Sequence, residues 1–166
     1  MSAPDALTLV RAVAGVPIGV AILAGQREIA LALFIVAALS DALDGALARR
    51  LGVVTERGAL LDPLADKILV VSTLAALWLV GDVPLWLFGI VAAREITVGA
   101  LRAGAHAAGE SRPAGLLAKA KTVCEMLGIA AVLLGSIAGT ALLLAAAAMA
   151  VATLPLYVAP FRRRFT

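Results

Sequence analysis

Between Asp41 and Asp66 the chain places five carboxylates and three arginines in a sequence that is otherwise almost wholly hydrocarbon. Ionised groups are costly in an apolar setting, and a chain that keeps them there keeps them for function. On an ideal helix, at about 100° per residue, Asp41, Asp44, Gly45 and Ala48 fall in one stripe about 100° wide, with Arg49 just past its edge. Gly58, Asp62, Ala65 and Asp66 share a stripe of similar width, so two neighbouring helices can turn four carboxylates toward one another. Oxygen-rich clusters of this kind suit Mg²⁺ or Mn²⁺. Without cations between them the acids would repel, and several would hold protons. A pair of polar-faced helices with solvated acids is the competing reading, but flanks this apolar supply no solvated face.

The rest of the chain sets the environment. Of 166 residues, 63% are hydrophobic, and the mean hydropathy of +1.05 exceeds what soluble globular proteins show. The expected fold class is therefore all-α, a polytopic membrane protein with six transmembrane helices at about 7–25, 27–50, 58–80, 84–106, 117–137 and 139–160. Six spans leave little room for a soluble domain, so residues 1–166 are expected to form one membrane-embedded domain. Met1 to Leu7 lacks a basic region, and no cleavable signal peptide is evident. Gly25, Gly81-Asp82 and Gly135 to Gly139 mark short turns on one side. Pro63 is tolerable if it falls in the first turn of its helix and is otherwise a kink.

Basic residues sort by loop. Arg49, Arg50 and Arg57 follow the second span; Arg102, Arg112, Lys119 and Lys121 surround the fourth connection; Arg162, Arg163 and Arg164 close the tail; the opposite turns carry only Arg27. The positive-inside rule then puts both termini and the acidic cluster on the cytoplasmic side, with the bacterial inner membrane the expected location. The net charge of +3 and pI near 9.6 reflect this topology and anionic headgroups, and nothing resembles a nucleic-acid module. Cys124 is a lone thiol, read as packing, and His106 as interfacial. Trp78, Trp86 and Tyr157 fall near span ends, as interfacial aromatics do. The small residues from Ala145 to Ala150 suit helix packing or a dimer contact.

The spacing D-x2-D-G-x2-A-R-x8-G-x3-D-x3-D is met at every fixed position by Asp41, Asp44, Gly45, Ala48, Arg49, Gly58, Asp62 and Asp66. It resembles the signature of the CDP-alcohol phosphatidyltransferases. The resemblance implies a six-helix fold, often a homodimer, with a site for two Mg²⁺ or Mn²⁺ ions. Metal held by Asp41, Asp44 and Asp62 would neutralise a pyrophosphate as CMP leaves. Gly45, Ala48 and Gly58 permit close approach of CDP-lipid, and Arg49 can donate to phosphate. The last acid of the signature takes the proton of the attacking hydroxyl in the family; here it is Asp66, for which a fourth ligand role stands beside the base role. Lys67, next to it, reads as a support charge.

Further blocks narrow the acceptor. Pro4 to Arg11, P-D-A-L-T-L-V-R, is similar to the opening of the phosphatidylglycerophosphate synthase branch, with Asp5 in place of Asn. L-D-P-L-A-D-K, A-R-E-I-T-V-G-A-L-R from Ala93 to Arg102, and A-K-A-K-T from Ala118 to Thr122 resemble the same branch, with Ala118 in place of Gly. Arg94, Arg102, Lys119 and Lys121 are the cations suited to an acceptor phosphate, while positive-inside anchoring competes for Lys119 and Arg112. Glu95 can pair with a cation on a neighbouring helix. The expected partners are membrane lipids, CDP-diacylglycerol and glycerol 3-phosphate. Rival readings are the same chemistry with phosphatidylglycerol or inositol phosphate as acceptor, and, from another class, a divalent-cation transporter.

Overall fold

A computed structural model describes the backbone of residues 3–51, 56–107 and 115–162, and the side chains of residues 13–40, 67–102, 104–105 and 115–155. The described residues form six helices and no strand: α1 (Ala3–Leu23), α2 (Arg27–Leu51), α3 (Glu56–Leu79), α4 (Leu85–Ala107), α5 (Leu116–Leu133) and α6 (Ile137–Arg162). The six expected segments thus appear as six helices with ends shifted by a few residues.

Three turns share one chemistry. Gly25, Gly81 and Gly135 have φ of 74°, 84° and 71°, a region that residues bearing a Cβ rarely adopt. Each glycine N–H donates to the carbonyl three residues back, and the next N–H donates to the carbonyl five residues back: Gly25 to Ile22 and Gln26 to Ala21, Gly81 to Trp78 and Asp82 to Leu77, Gly135 to Val132 and Ser136 to Ala131. This arrangement stops a helix while satisfying its last carbonyls. It explains why connections this short reverse the chain in an apolar setting, where unsatisfied backbone is costly.

The chain divides into two compact units, residues 1–83 and 84–166. In the first, α1 packs on both α2 and α3. Its face toward α3 is built from small residues. A Cβ at Gly15 would collide with the Ser72 hydroxyl, and one at Gly19 would reach the Ala76 methyl at 3.8 Å. Gly-x3-Gly on α1 therefore meets Ser-x3-Ala on α3, which lets the backbones approach closely. Ile18, Ile22, Phe34, Leu69, Leu74 and Leu77 fill the space beside that seam. At the turn end, Arg27 Nη2 donates to Asp82 Oδ1 at 2.8 Å, so the cation at the head of α2 is already balanced.

In the second unit α6 packs on α5 and on α4. Gly139 lies against the backbone of Val132, and Gly128 against Leu143, so the α5–α6 hairpin also closes on glycines. The small run of α6 turns Ala146, Ala147 and Ala150 inward, which gives it a packing role within the unit.

Among the described residues Ile137–Pro155 is long and apolar enough to cross a membrane, while Val13–Leu23 and Lys67–Leu79 are shorter apolar stretches. The expectation of six spans thus meets six helices, of which one passes that test. The physical reason on α4 and α5 is charge: Arg94, Glu95 and Arg102 interrupt the first, and Lys119, Lys121 and Glu125 the second. The helices nevertheless expose large apolar side chains, among them Val16, Val20, Val36, Leu39, Ile96 and Leu127. Pro63 falls in α3 past its first turn, where the backbone is helical.

Candidate active site and a buried charge network

The acidic motif occupies the end of α2 and the beginning of α3. Its backbone is helical from Asp41 through Leu51 and again from Glu56 through Asp66, so Asp41 and Asp44 stand about one turn apart on one helix, and Asp62 and Asp66 on the other. The side chains of Asp41, Asp44, Gly45, Ala48, Arg49, Gly58, Asp62 and Asp66 lie outside the described residues, as do those of His106 and Tyr157. The signature supplies four carboxylates, hard oxygen groups of the kind that Mg²⁺ and Mn²⁺ take.

Of the cations assigned to an acceptor, Arg94 and Lys121 are buried, Arg102 is partly buried and Lys119 is exposed. Arg94 Nη1 donates to Glu95 Oε1 at 2.6 Å, and Nη2 reaches Thr153 Oγ1 on α6 at 3.3 Å. Lys121 Nζ donates to Glu95 Oε1 at 2.5 Å and lies 2.6 Å from Glu125 Oε2, one turn further along α5. Glu95 thus pairs with a cation on a neighbouring helix, as its position beside Arg94 led one to expect. Lys121 and Glu125 are each only 2% exposed. Isolated charges at that burial would shed or take up protons; here two cations and two anions balance within contact distance.

Two members of this network escape a reading by motif. Glu125 stands four residues after Lys121 in an apolar run, a spacing that puts both on one helix face and was a usable signal. Thr153 carried no signal: its hydroxyl also donates to the Met149 carbonyl at 2.9 Å, as mid-helix threonines commonly do. Cys124 is partly buried beside Glu125, consistent with packing.

Sequence comparison connects this geometry to known proteins. The family model for CDP-alcohol phosphatidyltransferase matches residues 1–154. A CDP-diacylglycerol–glycerol-3-phosphate 3-phosphatidyltransferase of Bacillus subtilis (strain 168) is 40% identical over 102 residues, covering 61% of this chain and 53% of that protein. An enzyme of the same name from Cereibacter sphaeroides is 37% identical over 147 residues, covering 81% of this chain and 64% of that protein. A probable cardiolipin synthase (CMP-forming) of Drosophila melanogaster is 38% identical over 97 residues, covering 58% of this chain and 30% of that protein. The chain spans about half the length of relatives such as the first. One long apolar helix within a family of membrane enzymes points to a membrane protein. With a match that runs through nearly its whole length and includes an unbroken eight-position acidic signature, the chain belongs to the CDP-alcohol phosphatidyltransferase family.

Proposed function

We propose that the chain transfers the phosphatidyl group of CDP-diacylglycerol to sn-glycerol 3-phosphate, giving phosphatidylglycerophosphate and CMP. The observation that carries the reading is the complete acidic signature on two helical segments, in a chain whose relatives from Bacillus subtilis and Cereibacter sphaeroides bear the name of that activity. Asp41, Asp44 and Asp62 are the residues that would hold two divalent cations, whose chemistry when bound is to neutralise the pyrophosphate and the charge that develops on departing CMP. Asp66 accepts the proton of the acceptor hydroxyl as its oxygen bonds to the phosphatidyl phosphorus and the bond from that phosphorus to CMP breaks. Gly45, Ala48 and Gly58 carry no bulk to obstruct the nucleotide and pyrophosphate, and Arg49 donates to phosphate oxygen. Arg94 and Lys121 are buried, whereas Arg102 is partly buried and Lys119 exposed, so Arg102 and Lys119 are the cations proposed to meet the acceptor phosphate.

In this reading residues 1–166 form one domain whose six helices all span the membrane, with both termini cytoplasmic, and the protein works as a homodimer. The pairing of Glu95 with Arg94 and Lys121, and of Lys121 with Glu125, supports spans at α4 and α5, since these interior charges offset one another. The sorting of lysines and arginines supports the orientation, because the short turns carry only Arg27. An acceptor panel tests the function: purified protein in CDP-diacylglycerol micelles with Mn²⁺ is offered glycerol 3-phosphate, phosphatidylglycerol, inositol phosphate or glycerol, and CMP and lipid product are followed. CMP release with glycerol 3-phosphate alone is expected. Efficient use of phosphatidylglycerol moves the assignment to cardiolipin synthesis, the activity named for the Drosophila relative. No release with any acceptor, together with Mn²⁺ flux in liposomes, overturns the enzyme reading in favour of transport.

A further inference from the structure

Among its described residues, unit 84–166 keeps four charged groups buried, and the proposed chemistry uses none of them: Arg94 and Glu95 on α4, Lys121 and Glu125 on α5. Two features decide what they do. Lys121 Nζ sits 2.5 Å from Glu95 Oε1 and 2.6 Å from Glu125 Oε2. An anion approaching that nitrogen would meet two carboxylates. The second feature is direction. Extensive packing in this unit runs from α5 to α6 and from α4 to α6, whereas the Glu95–Lys121 contact crosses directly from α4 to α5. The bond from Arg94 to Thr153 fastens the same turn of α4 to α6. One turn of α4 is therefore tied by polar contacts to both other helices. Two turns further along α4, on the same face by helical periodicity, stands Arg102. A slide or roll of α4 at Glu95 moves Arg102 with it.

We infer that Glu95, Lys121 and Glu125 form an electrostatic latch that holds α4 in register with α5, and that Lys121 is a positioning residue rather than a ligand of the acceptor phosphate. Glu125 fixes the lysine head along its own helix, and Glu95 receives it from the facing one. The inference rests on the reading that Arg102 binds an acceptor phosphate, and it separates two roles that a run of basic residues merges.

A double-variant cycle tests it on the full chain in CDP-diacylglycerol micelles, with Glu95→Gln, Lys121→Met and the two combined. For each protein the thermal unfolding midpoint, kcat, and the KM for glycerol 3-phosphate and for CDP-diacylglycerol are measured. If the latch positions Arg102, each single change raises the glycerol 3-phosphate KM by about three- to tenfold and leaves the CDP-diacylglycerol KM within about twofold. The combined variant then does no worse than the poorer single, because both break one tie. A Lys121→Met variant with raised KM beside a Glu95→Gln variant with unchanged or lower KM makes Lys121 a phosphate ligand relieved of a competitor, and overturns the latch. Midpoints that fall while every KM stays put reduce the network to a brace, and overturn the positioning role. Glu95→Gln preserves side-chain shape and keeps the test alive should Lys121→Met fail to fold. If the wild type ignores glycerol 3-phosphate, the proposed acceptor is wrong, and the latch is judged on midpoints alone: losses that add overturn it, losses that overlap sustain it.

Discussion

Asp62 and Asp66 stand one turn apart at the start of α3, yet the proposed chemistry gives them different work. Removing a ligand from a hard-cation site weakens metal affinity and neutralisation of the pyrophosphate together. Asp62→Asn is therefore expected to abolish turnover and to lose Mn²⁺ in a spectroscopic titration, as are Asp41→Asn and Asp44→Asn. Removing a base leaves binding intact, so Asp66→Asn should keep Mn²⁺ and CDP-diacylglycerol while turnover falls by about 10²–10⁴, the usual range for a positioned proton acceptor. Loss of Mn²⁺ from the Asp66 variant would assign it to the ligands instead. On the acceptor side, a charge-assisted contact to phosphate is worth about 1.5–3 kcal/mol, so Arg102→Gln should raise the glycerol 3-phosphate KM by roughly tenfold or more with little effect on CDP-diacylglycerol. An unchanged glycerol 3-phosphate KM in that variant would remove Arg102 from the phosphate site.

Between helices, glycines carry the close contacts, and the contacts differ in what they tolerate. A Cβ at Gly139 would stand 2.5 Å from the Val132 backbone nitrogen, which cannot rotate away, whereas a Cβ at Gly104 meets nothing within 4 Å. Gly139→Ala should therefore open the α5–α6 hairpin at a cost of about 1–3 kcal/mol. Gly104→Ala should be neutral or gain up to about 1 kcal/mol by restricting the unfolded chain. Thermal midpoints in detergent distinguish the two, and an unaffected Gly139→Ala protein would mean that the hairpin is looser than its geometry. Six helices and their glycine stops were legible in the sequence because apolar length and turn chemistry are local properties. Partnership was less so. Gly15 and Gly19 on α1 and Ser72 and Ala76 on α3 carry the small-residue spacing that seats one helix on the other, but spacing alone does not say which helix receives it. The basic residues near α4 and α5 read as one group suited to phosphate, since a sequence shows the sign of a charge and not its neighbours. Burial of Lys121 between Glu95 and Glu125 became visible only with three dimensions. The acidic signature was legible in full because its fixed spacing on a helical segment is itself the information.

At the scale of the whole molecule the helices expose side chains that water would not tolerate in such number. Val13, Val16 and Val20 on α1, Val36 and Leu39 on α2, and Ile96 on α4 are all more than half exposed. Surfaces of that kind are matched to hydrocarbon, and they are continuous along helices rather than confined to one patch. α5 makes the sharpest case. It holds Lys119, Lys121 and Glu125, yet its 18 residues rise about 27 Å, close to the roughly 30 Å hydrocarbon thickness of a bilayer. With Lys121 and Glu125 paired inside, its exposed face carries Leu117, Val123 and Leu127, apolar side chains suited to lipid. If α5 spans, its two ends open on opposite sides of the membrane. Leu116, at its start, and Ser136, in the turn after it, are both exposed and make suitable reporters. In a Cys124→Ala background, Leu116→Cys and Ser136→Cys are each treated with a membrane-impermeant maleimide in right-side-out and inverted vesicles. The orientation proposed from the arginine and lysine distribution requires Ser136→Cys to react in right-side-out vesicles and Leu116→Cys in inverted ones. Exchange of the two patterns would reverse the topology and move the catalytic motif to the outer face, where cytosolic glycerol 3-phosphate could not reach it. Labelling of both from one side would mean that α5 does not cross, and its buried charges would then need another account than a bilayer.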